Sequence, residues 1–245
     1  MRAMKLLVLG GTLEARELTE RLARDGYDVV TSLAGRTREP RPMAGRLRVG
    51  GFGGVEGLSD YLRIGKFDAL IDATHPFAER ISANARLATS ATDVALRVLR
   101  RPPWRSVNGD RWVAASDLQG AANALPMGAT ALLALGRQHL APFAGCDGVR
   151  FVVRSIEPFE PPFECELVLQ RPSPDPATEA EFLRSRTITH VVSRNSGGPG
   201  AYAKIAAARM RSLDVVMIDR APEIGPAYAD VDALLGSLRP LASVP

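Results

Sequence analysis

The sequence predicts an α/β protein built as two Rossmann-like parallel-sheet domains, with a cofactor and substrate cleft between them. Two observations carry this expectation. Short β-rich runs alternate with stretches of helical spacing along nearly the whole chain, the pattern of parallel strands joined by crossover helices. Near the middle, Arg100-Arg101-Pro102-Pro103-Trp104 interrupts that alternation, and paired prolines continue neither a helix nor a central strand. The boundary is placed there, giving an N-terminal domain over residues 1–101 and a C-terminal domain over 102–245. At 245 residues the chain is long enough for two small α/β domains.

The expected strands of the first domain are Lys5 to Leu9, Asp28 to Leu33, Leu47 to Val49, Ala69 to Asp72 and Val94 to Leu99. Between them, Leu13 to Arg24, Val55 to Ile64 and Phe77 to Ala88 place apolar residues near 3.6 spacing and read as helices. In the second domain the expected order is helix 116–125, strand 131–135, helix 138–143 and strand 151–155. A proline-rich connection follows, then helix 177–184, strand 189–193, helix 201–211, strand 215–219 and a closing helix around Val231 to Leu238.

Composition narrows the function classes. Apolar residues make up 46% and charged residues 24%, as in ordinary soluble domains. The net charge of +4 is almost wholly arginine, since Lys5, Lys66 and Lys204 are the lysines. The charges are dispersed and no aromatic-plus-basic stripe accompanies them, so no nucleic-acid surface is expected. Converging arginines do suit an anionic small molecule, because the guanidinium binds carboxylate and phosphate through two donors at once. The start, Met1-Arg2-Ala3-Met4-Lys5, resembles the basic end of an export signal, but only a short apolar run follows before the glycines. Residues 129–135, the longest apolar stretch, are far too few for a bilayer. A cytoplasmic protein without a membrane partner is expected. Cys146 and Cys165 have no partners at metal-ligand spacing, so no metal is expected. Neither a Gly-x-Ser-x-Gly elbow nor a phosphate loop ending in Gly-Lys-Ser/Thr occurs.

The candidate chemistry lies at strand ends. Leu6-Leu7-Val8-Leu9 opens through Gly10-Gly11-Thr12 onto a helix, whose unpaired first-turn amides suit a diphosphate. Against the G-x-G-x-x-G/A fingerprint, Gly10 takes the first position and Ala15 the third, while Thr12 replaces the middle glycine. At the end of the second strand, where an acid would hold the ribose of NAD, stand Ser32, Gly35, Arg36 and Arg38 instead. A hydroxyl and positive charge there suit the 2′-phosphate of NADP; a solvated basic loop is the plainer alternative. Val49-Gly50-Gly51-Phe52-Gly53-Gly54 can press flat against a ligand, or serve as an ordinary turn. The fourth strand ends in Asp72-Ala73-Thr74-His75-Pro76-Phe77, where His75 has the chemistry of a proton donor or is simply held by the backbone at the start of a helix. Asp72 lies inside the strand and suits a structural acceptor. In the second domain, Ser193-Arg194-Asn195-Ser196-Gly197-Gly198 repeats the glycine-loop pattern, with Lys204 in the helix that follows.

Taken together, Gly10-Gly11-Thr12-x-Glu14, Ala34-Gly35-Arg36, Gly51-Phe52-Gly53-Gly54, Asp72 through Ala78, Arg101-Pro102-Pro103-Trp104 and Asn195-Ser196-Gly197-Gly198 with Lys204 closely resemble the precorrin-6A reductase family of cobalamin biosynthesis. The resemblance covers nearly the whole chain. Arg194 departs from it, standing where many relatives are expected to carry lysine. What it implies is an NADPH-dependent reduction of the C18=C19 double bond of precorrin-6A, a polycarboxylate tetrapyrrole. Hydride goes to C19 and a proton to C18, giving precorrin-6B.

On this reading Gly10, Gly11 and Thr12 face the pyrophosphate, and Ser32, Gly35 and Arg36 the 2′-phosphate. Gly51, Phe52, Gly53, Thr74, His75, Pro76 and Phe77 lie near the nicotinamide half. Ser193, Arg194, Asn195, Ser196, Gly197 and Lys204 meet the substrate. The protein is expected to act as a monomer, with at most transient contacts to neighbouring pathway enzymes. The alternatives are a non-catalytic nucleotide or anion sensor, a glycosyltransferase-like enzyme, and a reductase of cobalt-precorrin-6A.

Overall fold

The computed structural model of the protein describes residues 2–35 and 43–242. The chain divides into two compact units, Met1–Pro102 with Pro222–Pro245, and Pro103–Ala221.

Unit 1 is doubly wound. Its elements run β1 (Lys5–Leu9), α1 (Leu13–Arg24), β2 (Asp28–Leu33), β3 (Arg46–Val49), α2 (Gly54–Gly65), β4 (Ala69–Asp72), α3 (Glu79–Ser90) and β5 (Ala95–Val98). The strands pair in parallel in the order β3-β2-β1-β4-β5. β1 is central because it is apolar on both faces: Leu6 and Val8 pack into one layer with Leu18 and Leu22 of α1, Leu7 and Leu9 into the other with Leu58 and Leu62 of α2. Each such leucine contributes roughly 1.5–3 kcal/mol by leaving water. The chain moves outward from β1 to β3 and then returns to β4, so the ends of β1 and β4 flank the point where the winding reverses. Crevices at such points are where ligands of open α/β sheets bind.

Unit 2 has a wider sheet. It contains β6 (Arg111–Ala115), α4 (Leu118–Asn123), β7 (Thr130–Ala134), β8 (Arg150–Ser155), β9 (Glu166–Leu169), α5 (Pro176–Ser185), β10 (His190–Arg194), α6 (Ala203–Met210) and β11 (Asp214–Ile218). The order is β6-β11-β10-β7-β8-β9, again all parallel. The winding reverses between β7 and β10. Two strands were not anticipated from the sequence. β6 and β9 are the sheet's two edges, mostly exposed or half-buried, and so lack the apolar runs of the inner strands. The helix expected over 138–143 is instead two short 3-10 turns, Arg137–His139 and Ala141–Gly145, with Pro142 at the start of the second.

The expectation that a C-terminal helix closes the second domain is corrected by α7 (Val231–Ala242). Val231, Leu234, Leu235 and Leu238 are buried in the unit 1 core, against α1. Arg21 pairs with Asp232 at 2.6 Å. The segment before α7 extends the unit 1 sheet: Tyr228 bridges Leu99, with Tyr228 N–H donating to the Val98 carbonyl and Arg100 N–H to the Tyr228 carbonyl, both at 2.8 Å. The heptad-like apolar spacing of Val231 to Leu238 marks a packed face without saying which sheet receives it.

Candidate functional site

The turn after β1 is shaped by its glycines. A Cβ on Gly10 would lie 3.3 Å from both Thr31 and Leu33, tighter than most real contacts, and the Gly10 amide donates to the Ser32 carbonyl at 2.9 Å. Gly11 has φ +115 and open space on its outer side, a conformation that favours glycine. Thr12 is the N-cap of α1. Its hydroxyl accepts from the Ala15 amide at 3.0 Å and donates to the Ala73 carbonyl at 2.9 Å. The side chain that replaces the fingerprint's middle glycine is thus turned inward, tying the end of β1 to the end of β4. Thr12→Ala should lower stability by about 1 kcal/mol from the lost cap, with Thr12→Ser recovering most of it, as read by urea unfolding.

β4 ends in a buried polar network. Asp72, 1% exposed, accepts through Oδ1 from the amide and hydroxyl of Thr74, at 3.0 and 2.6 Å. Through Oδ2 it accepts from Ser82 Oγ at 2.6 Å and Arg100 Nη2 at 3.0 Å. Arg100 also donates to the Thr74 carbonyl at 2.8 Å, and its Nε to Glu223 at 2.9 Å. Asp72 is therefore the structural acceptor that its place in the strand suggested. His75 Nδ1 accepts from the Phe77 amide at 3.3 Å, and the two rings stand 5.9 Å apart. Beside the network a small crevice is lined by Thr12, Glu14, Thr74, Pro76 and Arg101, in which Arg101 pairs with Glu14 at 2.6 Å.

Ser32 and Gly35 lie at the end of β2; Arg36, with Arg38, lies outside the described residues. Gly35 has φ +74. The Gly50 amide donates to the Leu33 carbonyl at 2.9 Å, which joins the glycine loop after β3 to the end of β2. Gly51, Phe52 and Gly53, expected near Thr74 to Phe77, follow β3. In the sheet order, β2 and β1 separate the end of β3 from the end of β4. The loop belongs with Ser32. Arg48, which belongs to none of the sequence motifs, organises it: Nη1 donates to the Gly50 carbonyl at 2.5 Å, Nη2 to the Gly51 carbonyl at 2.7 Å, and the guanidinium lies 3.8 Å from the Phe52 ring centre. The signal was Arg48 standing two residues before Gly50.

In unit 2, Ser193 and Arg194 close β10 at the winding reversal, and Asn195, Ser196 and Gly197 follow. Trp104 holds this loop. Its amide donates to Asn195 Oδ1 at 2.8 Å, its carbonyl accepts from Asn195 Nδ2 at 3.1 Å, and its indole N–H donates to the Gly198 carbonyl at 2.8 Å. Arg220 donates to the Asn195 carbonyl at 2.6 Å. Ser193 is 1% exposed and donates to the Arg194 carbonyl at 3.3 Å. Lys204 is 8% exposed, donates to the Ala201 carbonyl at 2.8 Å and stands 5.3 Å from the Trp104 ring. Burial, with the nearby Arg154 guanidinium, pushes its ammonium down to about 8, against a smaller upward pull from Glu179. The expected cluster is thus assembled, but the side chains of Asn195 and Lys204 are spent on the loop's own frame. Among the described residues no group of His, Cys, Asp and Glu is arranged for a metal, and no helix is long and apolar enough to cross a membrane.

The fold and these strand-end turns define a Rossmann-like α/β protein with glycine-rich turns at its winding reversals. Comparison with known proteins narrows the class: the family model for precorrin-6x reductase CbiJ/CobK matches residues 5–239. The chain belongs to the precorrin-6x reductase family and is an oxidoreductase of cobalamin biosynthesis. It is 45% identical over 225 residues to the precorrin-6A reductase of Sinorhizobium sp., covering 90% of this chain and 86% of that one. It is 46% identical over 220 residues to that of Rhodobacter capsulatus, covering 88% of each. A solved structure of CobK precorrin-6A reductase superposes with TM-score 0.92 at 42% identity, covering 99% of this chain and 98% of that one.

Proposed function

We propose that the protein is a precorrin-6A reductase that binds NADPH at the strand ends of unit 1 and delivers its reducing power to the C18=C19 bond of the substrate. The observation that carries this reading is the Gly10–Thr12 turn, tied to the end of β4 at the winding reversal, in a chain 45% identical to a precorrin-6A reductase. The residues fit a dinucleotide. Gly11 leaves the open side that a close ligand needs, and at the start of α1, where Thr12 caps the Ala15 amide, the Leu13 and Glu14 amides have no acceptor within the helix.

Gly10, Gly11 and the backbone of Thr12 take the diphosphate. Ser32, Gly35 and Arg36 take the adenosine side, joined by Gly51, Phe52 and Gly53. Thr74, His75, Pro76 and Phe77 hold the nicotinamide side on the frame of Asp72 and Arg100. When bound, the nicotinamide supplies the hydride. His75, whose Nδ1 lies 3.3 Å from the Phe77 amide, is the candidate proton donor to C18. Ser193, Arg194, Asn195, Ser196, Gly197 and Lys204 form the substrate side; the amides of the loop meet the carboxylates, and Asn195 and Lys204 keep that loop on Trp104.

Incubation of the full chain with NADPH and precorrin-6A, following nicotinamide absorbance, tests the proposal. Cofactor loss is expected only when substrate is present and faster with NADPH than NADH. Binding of NADPH without consumption would leave a nucleotide sensor and sink the reductase. A parallel arm with cobalt-precorrin-6A decides between the metal-free and cobalt-bearing substrates.

A further inference from the structure

β3 carries a positive charge that no carboxylate among the described residues answers. Arg46 on the same strand pairs with Asp28, and Arg63 of α2 with Asp60. Arg48 makes no such pair. It stands opposite Ser32 in the register of β2 and β3, and its Nη1 approaches Ser32 Oγ at 3.5 Å. The carbonyls of Gly50 and Gly51 and the face of Phe52 fix the guanidinium in place. These groups orient the cation without neutralising it, so the fork keeps its full charge at low conformational cost. Around it, among the described residues, Gly50, Gly51 and Gly53 have nothing within 4 Å of where a side chain would begin, so the loop's backbone is open on that side.

We infer that Arg48 is a specificity-determining residue of unit 1, the cation that selects a phosphomonoester on the adenosine half of the dinucleotide. Ser32 Oγ is its neutral partner; Phe52 and the two carbonyls are its mount. The inference rests on the reading that unit 1 binds a nicotinamide dinucleotide, and it adds a described residue to the subsite expected of Arg36. A charge-assisted pair with a dianionic phosphate separates the two nucleotide classes, whereas a ribose hydroxyl gains little from a guanidinium already committed to two carbonyls.

The test is calorimetric titration of the full chain with adenosine 2′,5′-bisphosphate, adenosine 5′-monophosphate, NADPH and NADH. Arg48→Gln should weaken the bisphosphate and NADPH about tenfold or more, and the monophosphate and NADH less than about threefold, as loss of one charge-assisted contact requires. Its NADPH affinity should also fall less steeply with salt than the wild type's. Arg48→Lys, which retains the charge, should keep a measurable preference for the 2′-phosphorylated ligands and guards against a glutamine variant that fails to fold. Equal losses for both classes in Arg48→Gln, or a lysine variant with no preference, would overturn the inference. An intact preference in Arg48→Gln together with its abolition in Arg36→Ala would assign selection to Arg36 alone and overturn it too. A wild-type chain that binds neither NADPH nor NADH would instead bring down the dinucleotide reading on which it stands.

Discussion

Replacing Asp72 by alanine should destabilise unit 1 by about 3 kcal/mol or more, read as a fall in the urea midpoint, because it strands a buried cation and its hydroxyl neighbours. The side chains of Arg100 and Asp72 are 7% and 2% exposed, and one carboxylate serves Thr74, Ser82 and Arg100 together. Removing it leaves Arg100 with Glu223, whose side chain is 33% exposed and accordingly better hydrated, and with carbonyls that carry no charge. Arg100→Met alone should also destabilise, since Asp72 then keeps its desolvation cost without its cation. The double variant should be less harmful than the sum of the two, by a coupling on the order of 1–3 kcal/mol. A loss below about 1 kcal/mol for Asp72→Ala, or strict additivity, would show that the network does not carry the end of β4. The same variants should raise the KM for the nicotinamide cofactor, because the displaced loop holds Thr74 to Phe77.

Lys204→Met should stabilise the protein near neutral pH, by an amount on the order of 3 kcal/mol before any loss of the Trp104 and Ala201 contacts is subtracted. The sign follows from the direction of the shift. The folded chain holds this ammonium at about 8, against 10.5 when unfolded, so between those values the unfolded chain binds more protons and stability rises with pH. Below about pH 8 the full cost of the buried charge is present; above 10.5 it is gone. The advantage of Lys204→Met over wild type should therefore shrink as pH is raised from 7 toward about 10, in paired denaturation curves that cancel every other titrating group. A constant gap would show that the ammonium is solvated in the folded chain. Burial is the first cause of the shift, and the ion pair of Arg154 with Glu179, bidentate at 2.8 and 2.7 Å, sets the local charge balance. The amine costs stability where it sits, and the loop it supports is the one assigned to the substrate.

The inner strands were legible because burial on both faces demands unbroken apolar runs, and Lys5–Leu9 and Asp28–Leu33 fall where those runs lie. β6 and β9 were not, since an edge strand with a solvated face needs no such run. The glycine turns announced the candidate site, and Asp72 was rightly placed inside its strand. The cation that pairs with it was hidden by distance along the chain: Arg100 lies 28 positions on and itself meets Glu223 across 123, and nothing local to these residues points to the others. Trp104 was visible as part of a motif, but its grip on Asn195 and Gly198 arises from tertiary geometry. Thr12 looked like a defect in the fingerprint; its hydroxyl proves to be the tie between two strand ends.

The return of α7 to the core around Leu6 and Leu18 sets an order of events during synthesis. All the strands of unit 1 leave the ribosome before any of unit 2, yet the first core stays open until Leu234 and Leu238 have been made. Unit 2 lies wholly between those two moments and can close first. A chain truncated after residue 221 and released should therefore resist protease through unit 2 while β1 and α1 remain cleavable, and the unit begun first is the unit completed last.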